Sequence, residues 1–275
     1  MNKKYFFIFV FCLIGILAFA SGSGEKKDEF SGDFAFGGST TVDPIITAAI
    51  EAWKEIHPKV HISYEGVGSS NGVKGVLAKT YTLGAASRDI KSSEKEKGAK
   101  QITIALDAVA VVVNKGSVTV SNLTLEQTAK IFSGEITNWK EVGGADSPIA
   151  VFSRDEASGT YDCFHSLVLK KHKLKTKGDA TVVTSNGDMA AKVGATPNAI
   201  GYVGLGFVKE KGLKPLTIDG VEVSIANVKN KSYKIWRNLN VVYTGELGKV
   251  EQAFVDYLKS NDGQAIVEDL NFIKL

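Results

Sequence analysis

Cysteine and proline are scarce: the 275-residue chain has two of the first and five of the second. Two cysteines, Cys12 and Cys163, cannot supply the disulfide framework of a small secreted scaffold. Charge of one sign is missing too. Lys and Arg total 33 against 30 for Asp and Glu, and two of the lysines, Lys3 and Lys4, sit in an acid-free N-terminal stretch. A body this close to neutral excludes a broad nucleic-acid binder, whose affinity rests on neutralising many phosphates. Any anion recognised here is small and held locally. The chain also lacks low-complexity tracts, a strong internal repeat, a Gly-x-Ser-x-Gly elbow and a His-Glu-x-x-His pair. Two common hydrolase signatures are thereby excluded. What remains is a globular composition, 44% hydrophobic and 23% charged, long enough for one large domain or two ordinary ones.

The N-terminus reads MNKKYFFIFVFCLIGILAFASGSGEKKDEF. Two lysines precede an apolar run over 5–20 that ends in Ala18, Phe19 and Ala20, the layout of a secretory leader. The run is short for a membrane span of about 20 residues; an uncleaved anchor is the competing reading. Cys12 lies far upstream of the small residues, which argues against lipid attachment there. We expect a leader over 1–20, a polar tether over 21–32, and export. The protein is then periplasmic or attached to the outer face of the cytoplasmic membrane. Cleavage after Ala20 leaves Cys163 alone, with no internal disulfide.

Apolar β-rich runs then alternate with helical ones. DFAFGG and VHISYEGVG read as strands, and TLGAASRDI contains a short one. Between them lie helical DPIITAAIEAWKEIHP, with Ile46, Ile50 and Trp53 on one face, and helical SSNGVKGVLAKT. This order predicts a mostly parallel sheet with helices on both faces. ITIALDAVAVVVNK is apolar for so long that it predicts a buried strand crossing between lobes. A second set follows: helix TLEQTAKIFSG, strand IAVFSR, helix 159–171, strand ATVVTS, helix GDMAAKVGA and strand AIGYVGL. SYKIWRNLNVVYTG and two helices, 246–260 and 262–269, close the chain. Two α/β units predict two lobes with a small-ligand cleft at the strand ends.

Three helix starts share a pattern. GGSTTVDP places Ser39, Thr40 and Thr41 ahead of a helix with Pro44 in its first turn. GVGSSNGVKG places Ser69 and Ser70 at a second start, and SRDEASGTYD places Ser158, Gly159 and Thr160 at a third. Unpaired amides and the helix dipole make such starts ready anion seats, though Ser and Thr are also ordinary caps. Arg154, four residues before Ser158, adds a forked donor suited to a tetrahedral oxyanion. Its bland alternative is a surface salt bridge to Asp155 or Glu156. Burying an ion costs several kcal/mol even after relaxation, so both lobes must contribute donors.

In order along the chain, GGSTTVDP, YEGVGSSNGVKG, SGEITNWKEVGG, SRDEASGT and PNAIGYVGLG resemble the phosphate-binding component of Pst-type ABC transporters, over roughly residues 33–275. The resemblance implies a type II periplasmic binding protein: two α/β lobes joined by two hinge strands, with one dehydrated phosphate in the cleft. Lobe I would take 33–105 and 236–275, and lobe II 106–235. On this pattern the Ser39–Thr41 turn and Ser69 give donors from lobe I, and Arg154, Ser158, Gly159 and Thr160 the half from lobe II. Glu156 matches the acid that steadies the arginine. The implied partners are inorganic phosphate and membrane permease subunits. A monomer is implied, with no enzymatic activity, no metal and no cofactor.

One departure bears on selectivity. Many relatives carry an aspartate after the third strand, an acceptor for the proton on phosphate; GAASRDI places Ser87 there, followed by Arg88. Ser87 can accept or donate, yet it lacks a carboxylate's repulsion toward a proton-free anion such as sulfate. Arg88 is either a second positive group or a surface residue, and Asp107 in ALDAVA is another acceptor near the hinge. Three other readings stay open. A different tetrahedral oxyanion fits the same donors. A serine hydrolase needs Ser158 and His165 in contact, and seven helical residues separate them by about 10 Å. A surface adhesin that keeps the fold without the ligand would present Trp53, Trp139 or Trp236 as a partner face.

Overall fold

The computed structural model describes residues 30–275. The expected leader and residues 21–29 of the expected tether lie outside them. Strand β1 (Gly32–Gly38) starts within the last tether position, where Gly32 pairs with Val60. Helix α1 (Asp43–Lys54) carries Pro44 in its first turn, where a missing amide hydrogen is harmless, and buries Ile45, Ile46, Ala49 and Trp53. Strand β2 (Val60–Glu65), helix α2 (Ser69–Leu77), strand β3 (Leu83–Ala86) and the short helix α3 (Ser92–Glu96) complete the first unit.

Strand β4 (Ala99–Asn114) runs for 16 residues, a span of about 50 Å. Beyond it come β5 (Asn122–Leu123), α4 (Leu125–Ser133), β6 (Ala150–Arg154) and α5 (Gly159–Phe164). The helix expected over 159–171 is not regular throughout. After Phe164 it widens into a π-type turn over His165–Leu169, which places the adjacent Val168 and Leu169 both in the core. Then follow β7 (Thr181–Val183), α6 (Asn186–Ala195), β8 (Ala199–Gly204), β9 (Leu213–Pro215), β10 (Thr217–Ile218) and α7 (Ile225–Lys229). Strand β11 (Trp236–Thr244) and helices α8 (Lys249–Lys259) and α9 (Asn261–Asp269) end the chain.

A continuous hydrogen-bonded path runs β2-β1-β3-β11-β4-β8-β6-β7, with β9 added to β4. Pairing is parallel at β1–β2, β1–β3, β6–β8 and β6–β7, as the alternating order predicts. The crossing strands differ. β4 leaves the first lobe and β11 returns to it, so they run antiparallel to each other, and β4 is antiparallel to β8. The first part of β4 pairs with β11 up to Ala108–Trp236, and residues 109–113 pair with β8 instead. The C-terminal segment adds a third link, because Leu106 and Ile273 exchange backbone hydrogen bonds of 2.8 and 3.0 Å.

Two hydrophobic cores flank this crossing. Phe36, Trp53, Ile104, Leu239 and Phe254 belong to that of lobe I, where the Phe254 ring lies 5.4 Å from both Phe36 and Trp53. Phe132, Trp139, Phe164, Met189 and Tyr202 belong to that of lobe II, with Phe164 and Tyr202 stacked at 4.1 Å. Trp53 and Trp139 are therefore core residues, not a partner face. Cys163 is buried beside the returning strand, its thiol 3.9 Å from the Trp236 carbonyl, and burial pushes its pKa up to about 12. Among the described residues no helix is long and apolar enough to cross a membrane. Phe254→Ala is expected to cost about 3–5 kcal/mol of stability through the cavity it leaves; an unchanged urea midpoint would show that this ring does not hold lobe I together.

Candidate anion-binding site

The first donor loop is shaped by glycine. Gly38 has φ +144°, and a Cβ there would run into the Ala85 backbone. The turn that follows is closed by Ser39, whose hydroxyl accepts from the Thr41 amide (3.1 Å) and the Val42 amide (3.3 Å). The Ser39 oxygen thus accepts inside its own turn, which leaves its hydrogen to donate. Thr40 and Thr41 instead meet lobe II. The Gly68 amide donates to the Gly38 carbonyl at 2.7 Å, which seats the start of α2 beside this turn. The Ser69 hydroxyl there accepts from the Ser87 amide at 3.0 Å and lies 3.3 Å from the Ser87 hydroxyl.

Lobe II supplies the opposite wall. Ser158 caps α5 by accepting from the Tyr161 amide at 3.1 Å. Gly159 then lies so near lobe I that a Cβ would collide with the hydroxyls of Ser69 and Ser87. Thr160 meets Thr41 hydroxyl to hydroxyl at 3.2 Å.

Arg154, at the end of β6, is 2% exposed. Its Nε donates to the Val183 carbonyl at 3.0 Å, and its Nη2 to the Thr184 carbonyl at 2.8 Å and the Thr40 hydroxyl at 3.3 Å. Its Nη1 is buried without a protein partner among the described residues. Burial pushes the guanidinium's pKa down, with Arg237 nearby acting in the same direction, but an arginine starts far enough above neutrality to stay charged. Glu156 does not steady this arginine: it is exposed, and the two carbonyls hold the fork instead.

Two residues outside the sequence expectation complete the cluster. Arg237 on β11 lies opposite Asp107 on β4 in the ladder. Its Nε and Nη2 donate to Asp107 Oδ2 at 2.9 and 2.7 Å, while Nη2 also reaches Thr41 (3.1 Å) and Nη1 reaches Ser87 (3.3 Å). Asp107 Oδ1 accepts from the Leu205 amide at 2.8 Å. Burial raises the Asp107 pKa, against the pull of Arg237. The second residue is Asn186, whose Nδ2 donates to Thr41 (2.8 Å) and Thr40 (3.1 Å), and whose Oδ1 accepts from the Gly204 amide (3.1 Å). A signal for Asn186 existed: TSNG, at the start of α6, repeats the hydroxyl-and-glycine pattern of the other three starts. No local signal marks Arg237, since its role follows from the register of strands 130 positions apart.

The structure therefore brings together Thr40, Thr41, Ser69, Ser87, Arg154, Ser158, Gly159 and Thr160, with Asp107 behind them. Arg88 is directed elsewhere, into ion pairs with Glu94 and Asp162. The chemistry of the cluster is donor-rich. Thr40 and Thr41 already accept from Asn186 and from an arginine each, and Ser69 accepts from an amide. Occupied lone pairs leave hydroxyl hydrogens to donate. Two guanidiniums face one carboxylate that is already bonded, so the cluster carries net positive charge. It suits an oxyanion. Among the described residues no group of three or more His, Cys, Asp or Glu is placed to hold a metal ion. Ser158 and His165 share no hydrogen bond; the His165 ring stacks on Tyr161 at 5.5 Å.

A family model described as a PBP superfamily domain matches residues 23–262. A phosphate-binding protein PstS of Borreliella burgdorferi is 37% identical over 248 residues, covering 87% of this chain and 88% of its own length. One from Bacillus subtilis is 31% identical over 260 residues, covering 92% and 84%. The chain belongs to the PBP superfamily, in its PstS family. Its fold follows the PstS pattern, two α/β lobes joined by hinge strands. A crystal structure of a Clostridium perfringens protein, assigned as a phosphate ABC transporter substrate-binding protein and holding bound phosphate, superposes with a TM-score of 0.84 at 38% identity, covering 89% of this chain and 100% of that one. The PstS family is one of binding proteins for transport, not of enzymes.

Glu94 offers a pH test of the Arg88 network. Burial works to raise its pKa, but the Arg88 fork and the Lys91 amide outweigh it and hold the carboxyl below its ordinary 4.5. A group held low in the fold stabilises it above the unfolded value and stops doing so as pH falls through the folded one. Glu94→Gln is therefore expected to flatten the acid limb of the stability–pH curve below 4.5. Urea unfolding at a series of acid pH values checks this, and an unchanged limb would contradict it.

Proposed function

We propose that the chain captures inorganic phosphate between its lobes and delivers it to the permease of an ABC transporter, acting as an exported monomer. The observation that carries this reading is the buried Arg154 guanidinium, whose Nη2 reaches across to the Thr40 hydroxyl of lobe I while its Nη1 has no partner among the described residues. A hydrogen bond to a charged group contributes about 1.5–3 kcal/mol, while a helix start contributes about 0.3–1 kcal/mol. The guanidiniums and hydroxyls therefore dominate, and the dipoles assist. The names of the PstS relatives and the phosphate in the Clostridium perfringens structure support the choice of ligand. The leader-like N-terminus supports export.

The lobes, 33–105 with 236–275 and 106–235, pivot where β4 passes Asp107 and where the chain returns at Trp236. Open and closed forms exchange, and phosphate favours the closed one because only there do Thr40, Thr41 and Ser69 face Arg154 and Thr160. Arg154→Ala is expected to weaken phosphate binding about 100-fold, and Thr41→Ala by less, since only the first removes a charge. Calorimetry measures both, and equal, negligible losses would remove this site.

One observation favours a broader tetrahedral oxyanion as a second reading. No carboxylate oxygen is left over in the cluster: Asp107 Oδ1 is taken by Leu205 and Oδ2 by Arg237. Selectivity against a proton-free anion then has no carboxylate to enforce it. Titration with phosphate, sulfate and arsenate at two pH values distinguishes the readings. Ser87→Asp, which sets an acid beside the hydroxyls, is expected to raise discrimination against sulfate; unchanged competition by sulfate would refute a selectivity role for position 87.

A further inference from the structure

Contacts between the lobes are not confined to the hydroxyl cluster. The Ser70 amide donates to the Ala157 carbonyl at 3.0 Å. Arg88 Nε lies 2.9 Å from Asp162 Oδ2, and Lys91 Nζ lies 3.0 Å from the same oxygen. Arg88 and Lys91 follow β3 in lobe I, whereas Asp162 is in the first turn of α5 in lobe II. We propose that Asp162 and the Arg88–Lys91 pair form an electrostatic latch. In it Asp162 is a positioning residue that favours the closed lobes without touching the anion.

The latch is preset on one side. Arg88 is gripped by Glu94, with Nη1 at 2.8 Å and Nη2 at 2.7 Å from its two oxygens, and Nη2 also reaches the Ser70 hydroxyl at 3.2 Å. These partners all lie in lobe I, so Arg88 keeps them however the lobes stand. Its Nε is what remains to face lobe II. The ion pairs of Asp162 among the described residues are both to lobe I, so it loses them on opening. An interaction present in one of two arrangements shifts the balance between them. The side chains of Arg88 and Asp162 are 7% and 23% exposed, sheltered enough for the pair to outlast moderate salt, while Lys91 is half exposed and more readily screened. Position within α5 links the latch to the cluster. Gly159 and Thr160 meet the lobe I hydroxyls, and two residues on Asp162 meets Arg88, so one short helix docks at both places together.

The effect on ligand release rests on the phosphate reading; the effect on lobe closure does not. Asp162→Asn is expected to weaken phosphate affinity about tenfold, mostly through faster release measured by stopped flow. It is also expected to enlarge the radius of gyration of the phosphate-free protein in small-angle scattering. Lys91→Met, at a half-exposed position that tolerates change, gives a smaller shift of the same sign and keeps the test valid if the first variant misfolds. Asp162→Glu restores slow release, which a merely structural role for the position would not require. High salt moves the wild type toward the Asp162→Asn behaviour and leaves that variant little altered. Release rates and scattering of Asp162→Asn and Lys91→Met equal to wild type would overturn the latch. A wild type that ignores phosphate would overturn the ligand assignment instead, and scattering at low and high salt would still decide the latch.

Discussion

The pairing of Arg237 with Asp107 is the constraint around which the molecule is arranged. Both groups are almost wholly shut off from solvent, and placing such charges in a low-dielectric interior costs several kcal/mol unless the geometry is close and the remaining atoms are bonded. The antiparallel ladder meets that condition by setting the two residues directly opposite each other at the point where the chain crosses between lobes. The Leu205 amide takes the second carboxylate oxygen. The guanidinium, once fixed, has edges left over, and these reach Thr41 and Ser87. The crossing and the site are therefore not separate parts. A shift in strand register would misplace the ion pair and the hydroxyls together.

The hydroxyl cluster illustrates how a protein without a metal-ligand cluster among its described residues can prepare for an anion. A threonine or serine is neutral in what it offers, able to give or to take a hydrogen bond. Neighbouring amides, Asn186 and the two arginines occupy the accepting side of Thr40, Thr41 and Ser69, which biases each hydroxyl toward giving. Arg154 contributes in the same sense, because carbonyls rather than a carboxylate hold its fork and leave its charge uncancelled. The polarity of the site comes from this surrounding layer as much as from the residues in front.

Much of the fold could be read along the sequence because it rests on local pattern. Short apolar runs marked β1 and β2, the proline and the apolar face marked α1, and long apolarity marked β4 as a buried crossing strand. Most of the cluster was legible for the same reason, since hydroxyls and glycine at a helix start are a local signature. What escaped was non-local. Arg237 looks like an isolated charge in an apolar strand until β4 is laid beside it. The assignment of Glu156 to Arg154 came with the family resemblance, whereas the carbonyls that hold the arginine come from the neighbouring strand β7 and the residue after it. Arg88 could be read either way from its neighbours, and only the placement of α3 and α5 directs it to Glu94 and Asp162.

The discontinuity of lobe I has a consequence for how the chain acquires its shape. The core of that lobe joins β1 to β3 with β11, α8 and α9, and the Phe254 ring that packs against Phe36 and Trp53 follows all of 106–235 along the chain. During synthesis from the N-terminus, β1 to β3 emerge well before the elements that cover them. Most of the other core falls within 108–235 and can consolidate first, with Ile273 joining it later. Joining contacts so distant along the chain is slow, because a long loop must close before any of them forms. A chain extended only through α7 therefore holds most of one core, while the other still lacks β11, α8 and α9.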